Sequence, residues 1–306
     1  MKTKFDRINL SKDDFEYNYN PRVAVPNAQE YIDDFIERSK TARSLMEGVY
    51  DIRYGSKQKQ TLDLHLPKDS SNSPLLIYIH GGYWRAIDKN DHSFIALPFI
   101  KNGIAVANVN YDLCPSVTLT EIVDEIIEAF HFVRNQGEEW KTNGVYLIGH
   151  SAGAHLAGEI IRRNFFDREK DHSRLKGSIL LSGIYEPEVV LHLDVNEDIR
   201  LDREMAFKCN VINKPPLCES PIMICVGGDE PEGWIDQSRS YFELCDSQNI
   251  KVDFKIVEGT NHFSLLDHAM SEDYEHNKKV IEFIQNQQRL KSHKFKLKKN
   301  MNLQLT

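Results

Sequence analysis

At 306 residues, with a net charge of −8, 41% hydrophobic and 27% charged residues, the chain has an ordinary globular composition and the size of one α/β domain with insertions. Its longest apolar runs, such as Leu75-Leu76-Ile77-Tyr78-Ile79, are too short to span a membrane. The start Met1–Arg7 lacks the apolar stretch of a secretory signal, and the acidic balance speaks against a general nucleic-acid surface. The cysteines Cys114, Cys209, Cys218, Cys225 and Cys245 are odd in number and scattered, with no C-x-x-C pair. They fit reduced thiols in a cytoplasmic protein better than a disulfide or zinc framework.

Residues 1–48 precede the regular pattern and hold an amphipathic stretch near Ala28–Met46. From residue 49 the chain alternates strand and helix signals, which implies a mostly parallel sheet covered by helices on both faces. Val49–Tyr54 and Thr61–Leu66, the second with alternating Leu62, Leu64 and Leu66, predict an opening antiparallel pair. Leu75–Ile79, Ile104–Val109, Val145–Ile148, Ser178–Leu181, Ile222–Val226 and Val252–Val257 supply the remaining strands. Leu119, Ile122, Val123, Ile126, Ile127, Phe130 and Val133 follow helical spacing and form one stripe. Thr118 and Glu121 form a capping box at its start, with Val117 placed to staple onto Ile122. Further helices are expected from Ser151 onward, over Trp234–Ser247 and over Glu272–Gln287.

Two segments stand apart from a main domain of residues 49–288. Residues 185–218 are too long for a simple crossover and carry a short helix signal around Asp202–Cys209, which predicts a cap insertion over the C-terminal edge of the sheet. Residues 289–306 carry Arg289, Lys291, Lys294, Lys296, Lys298 and Lys299 with no acid. An anionic or RNA contact is one reading of this basic tail. A solvated, partly disordered extension is the plainer one and is expected here.

The chemistry concentrates at Gly149-His150-Ser151-Ala152-Gly153, between the apolar runs Val145–Ile148 and Ala154–Ala157. A G-x-S-x-G sequence on a strand–turn–helix forces the serine into a strained conformation and exposes its hydroxyl at a helix N-terminus. Such a serine is useful only when a base and an oxyanion site converge on it. His262, after the strand Val252–Val257, is the expected base. Asp229, directly after Ile222–Gly228, is the expected orienting acid, and the chain order Ser, acid, His suits an α/β-hydrolase. His268 and Asp236 are the nearest substitutes. The oxyanion donors are expected from the amide of Ala152 and from His80-Gly81-Gly82-Tyr83-Trp84, where Gly82 and Tyr83 present N–H groups and Gly81 shapes the turn. His150 and His155 are split by the turn, and no H-E-x-x-H, P-loop or G-x-G-x-x-G occurs, so neither metal nor cofactor is indicated.

The motifs His80–Trp84, Asn110-Tyr111-Asp112-Leu113-Cys114-Pro115 with Val117-Thr118, and Gly149–His155 together resemble the arylformamidase (kynurenine formamidase) branch of the α/β-hydrolase fold. The likeness runs from about residue 45 to 288 and more weakly into Tyr17–Arg22, so the N-terminal extension is expected to pack on or near the active site. The resemblance implies Ser151 as nucleophile, Asp229 as acid, His262 as base and N-formyl-kynurenine as substrate. Tyr83, Trp84, Tyr185, Trp234 and Phe263 are the expected aromatic contacts to that flat molecule. A short-chain carboxylesterase or other amidase is the alternative, and a catalytically silent receptor fold is disfavoured because every catalytic position is filled. The expected partner is a small-molecule substrate, with no nucleic acid or membrane. A homodimer is left open.

Overall fold

The computed structural model describes residues 5–69, 71–163 and 175–286. Within them the apolar runs become eight strands: β1 (Val49–Arg53), β2 (Thr61–His65), β3 (Ser73–Ile79), β4 (Ala105–Val109), β5 (Thr142–His150), β6 (Leu175–Leu181), β7 (Ile222–Gly227) and β8 (Val252–Val257). They build one sheet in the order β1-β2-β4-β3-β5-β6-β7-β8. β2 runs antiparallel to both β1 and β4, and every other pairing is parallel.

Strand periodicity divides the core into two layers. Leu75, Ile77, Ile79, Leu147, Ile224 and Val226 face one way, toward the helices Leu119–Asn135, Ala152–Ile161 and Glu232–Ser247. Leu76, Tyr78, Tyr146, Ile148, Met223 and Cys225 face the other way, toward Ala28–Leu45, Ala96–Lys101, Ser264–Met270 and the helix at 275–286. Because helices cover both faces, β3, β4 and β7 are buried along their whole length and read as near-continuous apolar runs.

The helix Leu119–Asn135 forms as its sequence dictates. The Thr118 side chain accepts the Glu121 N–H and Glu121 reaches back to the Thr118 backbone, while Leu119, Ile122, Val123, Ile126, Phe130 and Val133 are buried. The 3-10 stretch Lys89–Ile95, the helix Ala96–Lys101 and the helix Ser264–Met270 were not expected from the sequence.

Before the sheet, the extension folds as helices Lys12–Tyr19, Pro21–Ala24 and Ala28–Leu45. The last of these buries Phe35 and Ala42 against the core. Its Arg43 joins Lys89 on the fully buried carboxylate of Asp63, at 2.6 and 2.7 Å. Residues 185–218 hold a 3-10 helix Pro187–His192 and a helix Asn196–Ile199, besides the helix Arg203–Lys208 near the expected position. The basic tail 289–306 lies outside the described residues. No helix among the described residues is long and apolar enough to cross a membrane.

Candidate active site

Ser151 lies between the end of β5, at the centre of the sheet, and the helix Ala152–Ile161. Its N–H continues the ladder with a bond to Leu181 O at 2.8 Å. The chain then turns sharply, with Ser151 at φ 57° and ψ −120°. The neighbours must be glycine: a Cβ on Gly149 would stand 2.2 Å from Gly153 O, and one on Gly153 would stand 2.0 Å from Ile79 O. A strained backbone at this point is retained because both flanking elements are buried on all sides. The first N–H groups of a helix have no intrahelical acceptor, which makes such a terminus suited to receive negative charge.

His262 follows β8, and its imidazole is buried. Its partner corrects the sequence expectation. His262 Nδ1 meets Glu230 Oε2 at 2.8 Å, whereas Asp229 is exposed and donates its backbone N–H to Thr260 O at 2.9 Å. The tight turn after β7 decides between the two acids. Gly227 N–H donates back to Glu230 Oε1 at 2.7 Å, which folds the Glu230 side chain inward and leaves Asp229 on the outer side. Ser182, at the end of β6, donates its hydroxyl to the same Oε1. Both oxygens of this buried carboxylate are therefore bonded, as burial of a charge requires.

His150, the residue before the nucleophile, also acts on the base. Its Nε2 lies 2.9 Å from His262 O. Burial, and then the nearby His262 ring, push its pKa well below the usual histidine range, so the ring is neutral. Since a carbonyl only accepts, the proton sits on Nε2 and the bond fixes the His262 backbone.

The loop after β3 lies against the nucleophile. A Cβ on Gly81 would be 3.1 Å from Ser151 Cβ, and Gly82 adopts φ +97°. Gly82 and Tyr83 line the same cleft as Ser151 and His262, and Ala152 is buried at the first turn of the helix. That cleft measures about 640 Å³ out to its mouth. Asn20, Pro21 and Arg22 of the extension, Ile32 and Phe35 of the next helix, Arg85, Ala86 and Ile87 beyond the loop, His92, His150, Val195 and Phe263 complete its wall.

Of the five expected aromatic contacts, Tyr83 and Phe263 line the cleft and three do not. Trp84 is fully buried and packs edge-on to His155 at 5.0 Å. Tyr185 is fully buried and stacks on Tyr241 at 4.5 Å. Trp234 donates its Nε1–H to Ser182 O at 2.9 Å and presses edge-on to His262 at 4.6 Å. It packs on the base and is not part of the Ser151 cleft lining. Among the substitutes, His268 stacks on Tyr274 and Asp236 accepts the Phe5 N–H. Sequence reasoning missed Glu230, Arg22, Arg85, Ile87, Phe35 and Val195. The Tyr17–Arg22 motif was a signal for Arg22, and the predicted cap 185–218 was one for Val195.

A protein-family profile, BD-FAE, matches residues 62–172. The chain is 30% identical to the kynurenine formamidase of Danio rerio over 91% of its own length and 98% of that protein. It is 28% identical to the kynurenine formamidase of Salmo salar, covering 87% and 94%. Among solved structures it is similar to a thioesterase-like protein of Silicibacter sp. TM1040, with a TM-score of 0.76 at 23% identity over 88% of this chain and 97% of the other. That last likeness is one of fold, the α/β-hydrolase fold.

Proposed function

The chain belongs to the kynurenine formamidase family, and on that premise we propose that it hydrolyses N-formyl-L-kynurenine to L-kynurenine and formate, with Ser151 as nucleophile, His262 as base and Glu230 as the acid that orients it. It is a hydrolase acting on linear amides. The observation that carries the residue assignment is the Glu230–His262 pair at 2.8 Å on the cleft that also holds Ser151.

In this reading Glu230 occupies Nδ1 of His262 and leaves Nε2 to take the Ser151 proton. Ser151 Oγ attacks the formyl carbon, and the oxyanion is received by the amides of Ala152 and the Gly82–Tyr83 loop. His262 returns the proton to the departing aryl amine as the C–N bond breaks. Water, deprotonated by the same His262, then attacks the formyl-serine, formate leaves and Ser151 regains its proton. The apolar wall of Ile32, Phe35, Ile87, Val195 and Phe263 offers room on the aryl side. A formyl group needs almost none on the acyl side. The five cysteines, all buried and none in a disulfide among the described residues, support a cytoplasmic setting.

Two measurements test the reading. A fluorophosphonate probe should label the wild type at Ser151, and Ser151→Ala should lose turnover by several orders of magnitude. Comparing N-formyl-L-kynurenine with 4-nitrophenyl acetate, butyrate and octanoate should give the formamide the highest kcat/KM. A formamide value well below those of the esters would assign the enzyme to the carboxylesterases.

A further inference from the structure

Two guanidinium groups line the Ser151 cleft, and one of them is paired with an acid. Arg85 follows the Gly82–Trp84 loop, to which its N–H is tied by a bond to Gly82 O at 3.1 Å. Its side chain pairs with Asp198 of the cap. Arg22, in the short helix Pro21–Ala24 of the N-terminal extension, lines the same cleft. No carboxylate among the described residues forms an ion pair with it. Arg22 is solvent-exposed where it lines the cleft, and desolvation, followed by the charge of Arg85, lowers its pKa.

The three charges Arg22, Arg85 and Asp198 therefore leave one positive charge over at the cleft. The same cleft has an apolar lining that includes Phe35, Ile87 and Phe263. Nucleophile, apolar surface and unpaired guanidinium in one cleft describe a ligand with an acyl group, a flat ring and an anion. A planar guanidinium suits a carboxylate in particular, because it can offer two parallel N–H donors to its two oxygens.

We propose that Arg22, with Arg85 beside it, is the subsite for a carboxylate carried by the leaving-group half of the substrate. It makes the enzyme select an aryl formamide that is also an amino acid over a neutral one. The inference rests on the formamidase reading for the identity of the substrate, but the subsite can be measured apart from it.

The test compares N-formyl-L-kynurenine with 2′-formamidoacetophenone, the same aryl formamide without its amino-acid end, in the wild type, Arg22→Gln and Arg22→Lys. Arg22→Gln should lower kcat/KM on the acid at least about tenfold more than on the neutral analogue, chiefly through KM, and Arg22→Lys should recover part of the difference. In parallel, L-kynurenine and 2′-aminoacetophenone are tested as inhibitors of 4-nitrophenyl acetate hydrolysis. The Ki of L-kynurenine should rise about tenfold in Arg22→Gln relative to that of the neutral ketone. Equal changes for the charged and neutral partners of each pair, or none, would overturn the subsite. Poor formamide turnover with the Ki difference intact would sink the formamidase reading and leave the subsite standing. Good formamide turnover with no dependence on Arg22 would do the reverse.

Discussion

Asp229 and Glu230 are neighbours in sequence and opposites in environment. One is exposed, while the other is buried with both carboxylate oxygens engaged by His262, Gly227 and Ser182. Glu230→Gln should therefore lower kcat by about 10³–10⁴-fold with little change in KM, as expected when an imidazole loses the anion that fixes its tautomer and stabilises its charged form. Asp229→Asn should stay within about twofold, the range of a surface change. Steady-state kinetics on N-formyl-L-kynurenine decide the matter, and a larger loss in Asp229→Asn would return the role to that residue. The strand end and the chain order of the acid were readable in the sequence. The choice between adjacent acids was not, because it depends on how the Gly227-Gly228 turn rotates the chain. That rotation is set by a backbone-to-side-chain bond three residues apart.

Among the elements, the loop after β3 shows the same limit. Its His-Gly-Gly sequence identified a segment that lies against Ser151, yet the next three aromatic or branched positions do not follow a pattern of alternating faces. Tyr83, Trp84 and Ile87 all have positive φ, at 53°, 57° and 75°. This coil sends the Tyr83 hydroxyl to the Tyr19 carbonyl of the extension and drives Trp84 into the core against His155. A fully buried tryptophan is a structural prop, so Trp84→Ala should cost about 3–5 kcal/mol of stability. Its kinetic losses should be similar on N-formyl-L-kynurenine and on 4-nitrophenyl acetate. Denaturant unfolding and paired kinetics measure both. A loss confined to the kynurenine substrate would mean that the indole reaches the cleft in solution. Long periodic elements such as Leu119–Asn135 and the apolar strands were legible because one face or both faces must be buried. The stretch at Lys89–Ile95 was not, since it is 3-10 with His92 outside helical geometry. Its packing is set by distant groups such as Ser39, which bonds Asp91 O at 2.7 Å.

At the scale of the molecule, several histidines among the described residues are held neutral by burial. His65, His80, His92, His150, His155 and His276 all have lowered pKa values, with desolvation the first cause in each. For His92 the value falls to about 3 and for His276 to about 4. The unfolded chain takes up protons on these rings near pH 6.5, where the folded chain does not. Folding stability is thus fully present above that pH and is lost progressively as pH falls from about 6.5 toward the folded values. Each ring as strongly shifted as His92 or His276 removes about 2 kcal/mol between pH 7 and pH 5. Burial raises the carboxyl pKa values of Asp91, Glu125 and Asp267, which acts in the opposite sense and makes the net slope smaller than the histidine sum. Unfolding in urea at both pH values should still show a loss of several kcal/mol at pH 5. His276, on the helix at 275–286 and away from the cleft lining, isolates one contribution. His276→Gln should lose about 2 kcal/mol less than the wild type over the same pH interval, whatever its stability at pH 7. An identical drop in both proteins would mean that the His276 ring is already protonated in the folded state and that the acid sensitivity arises elsewhere.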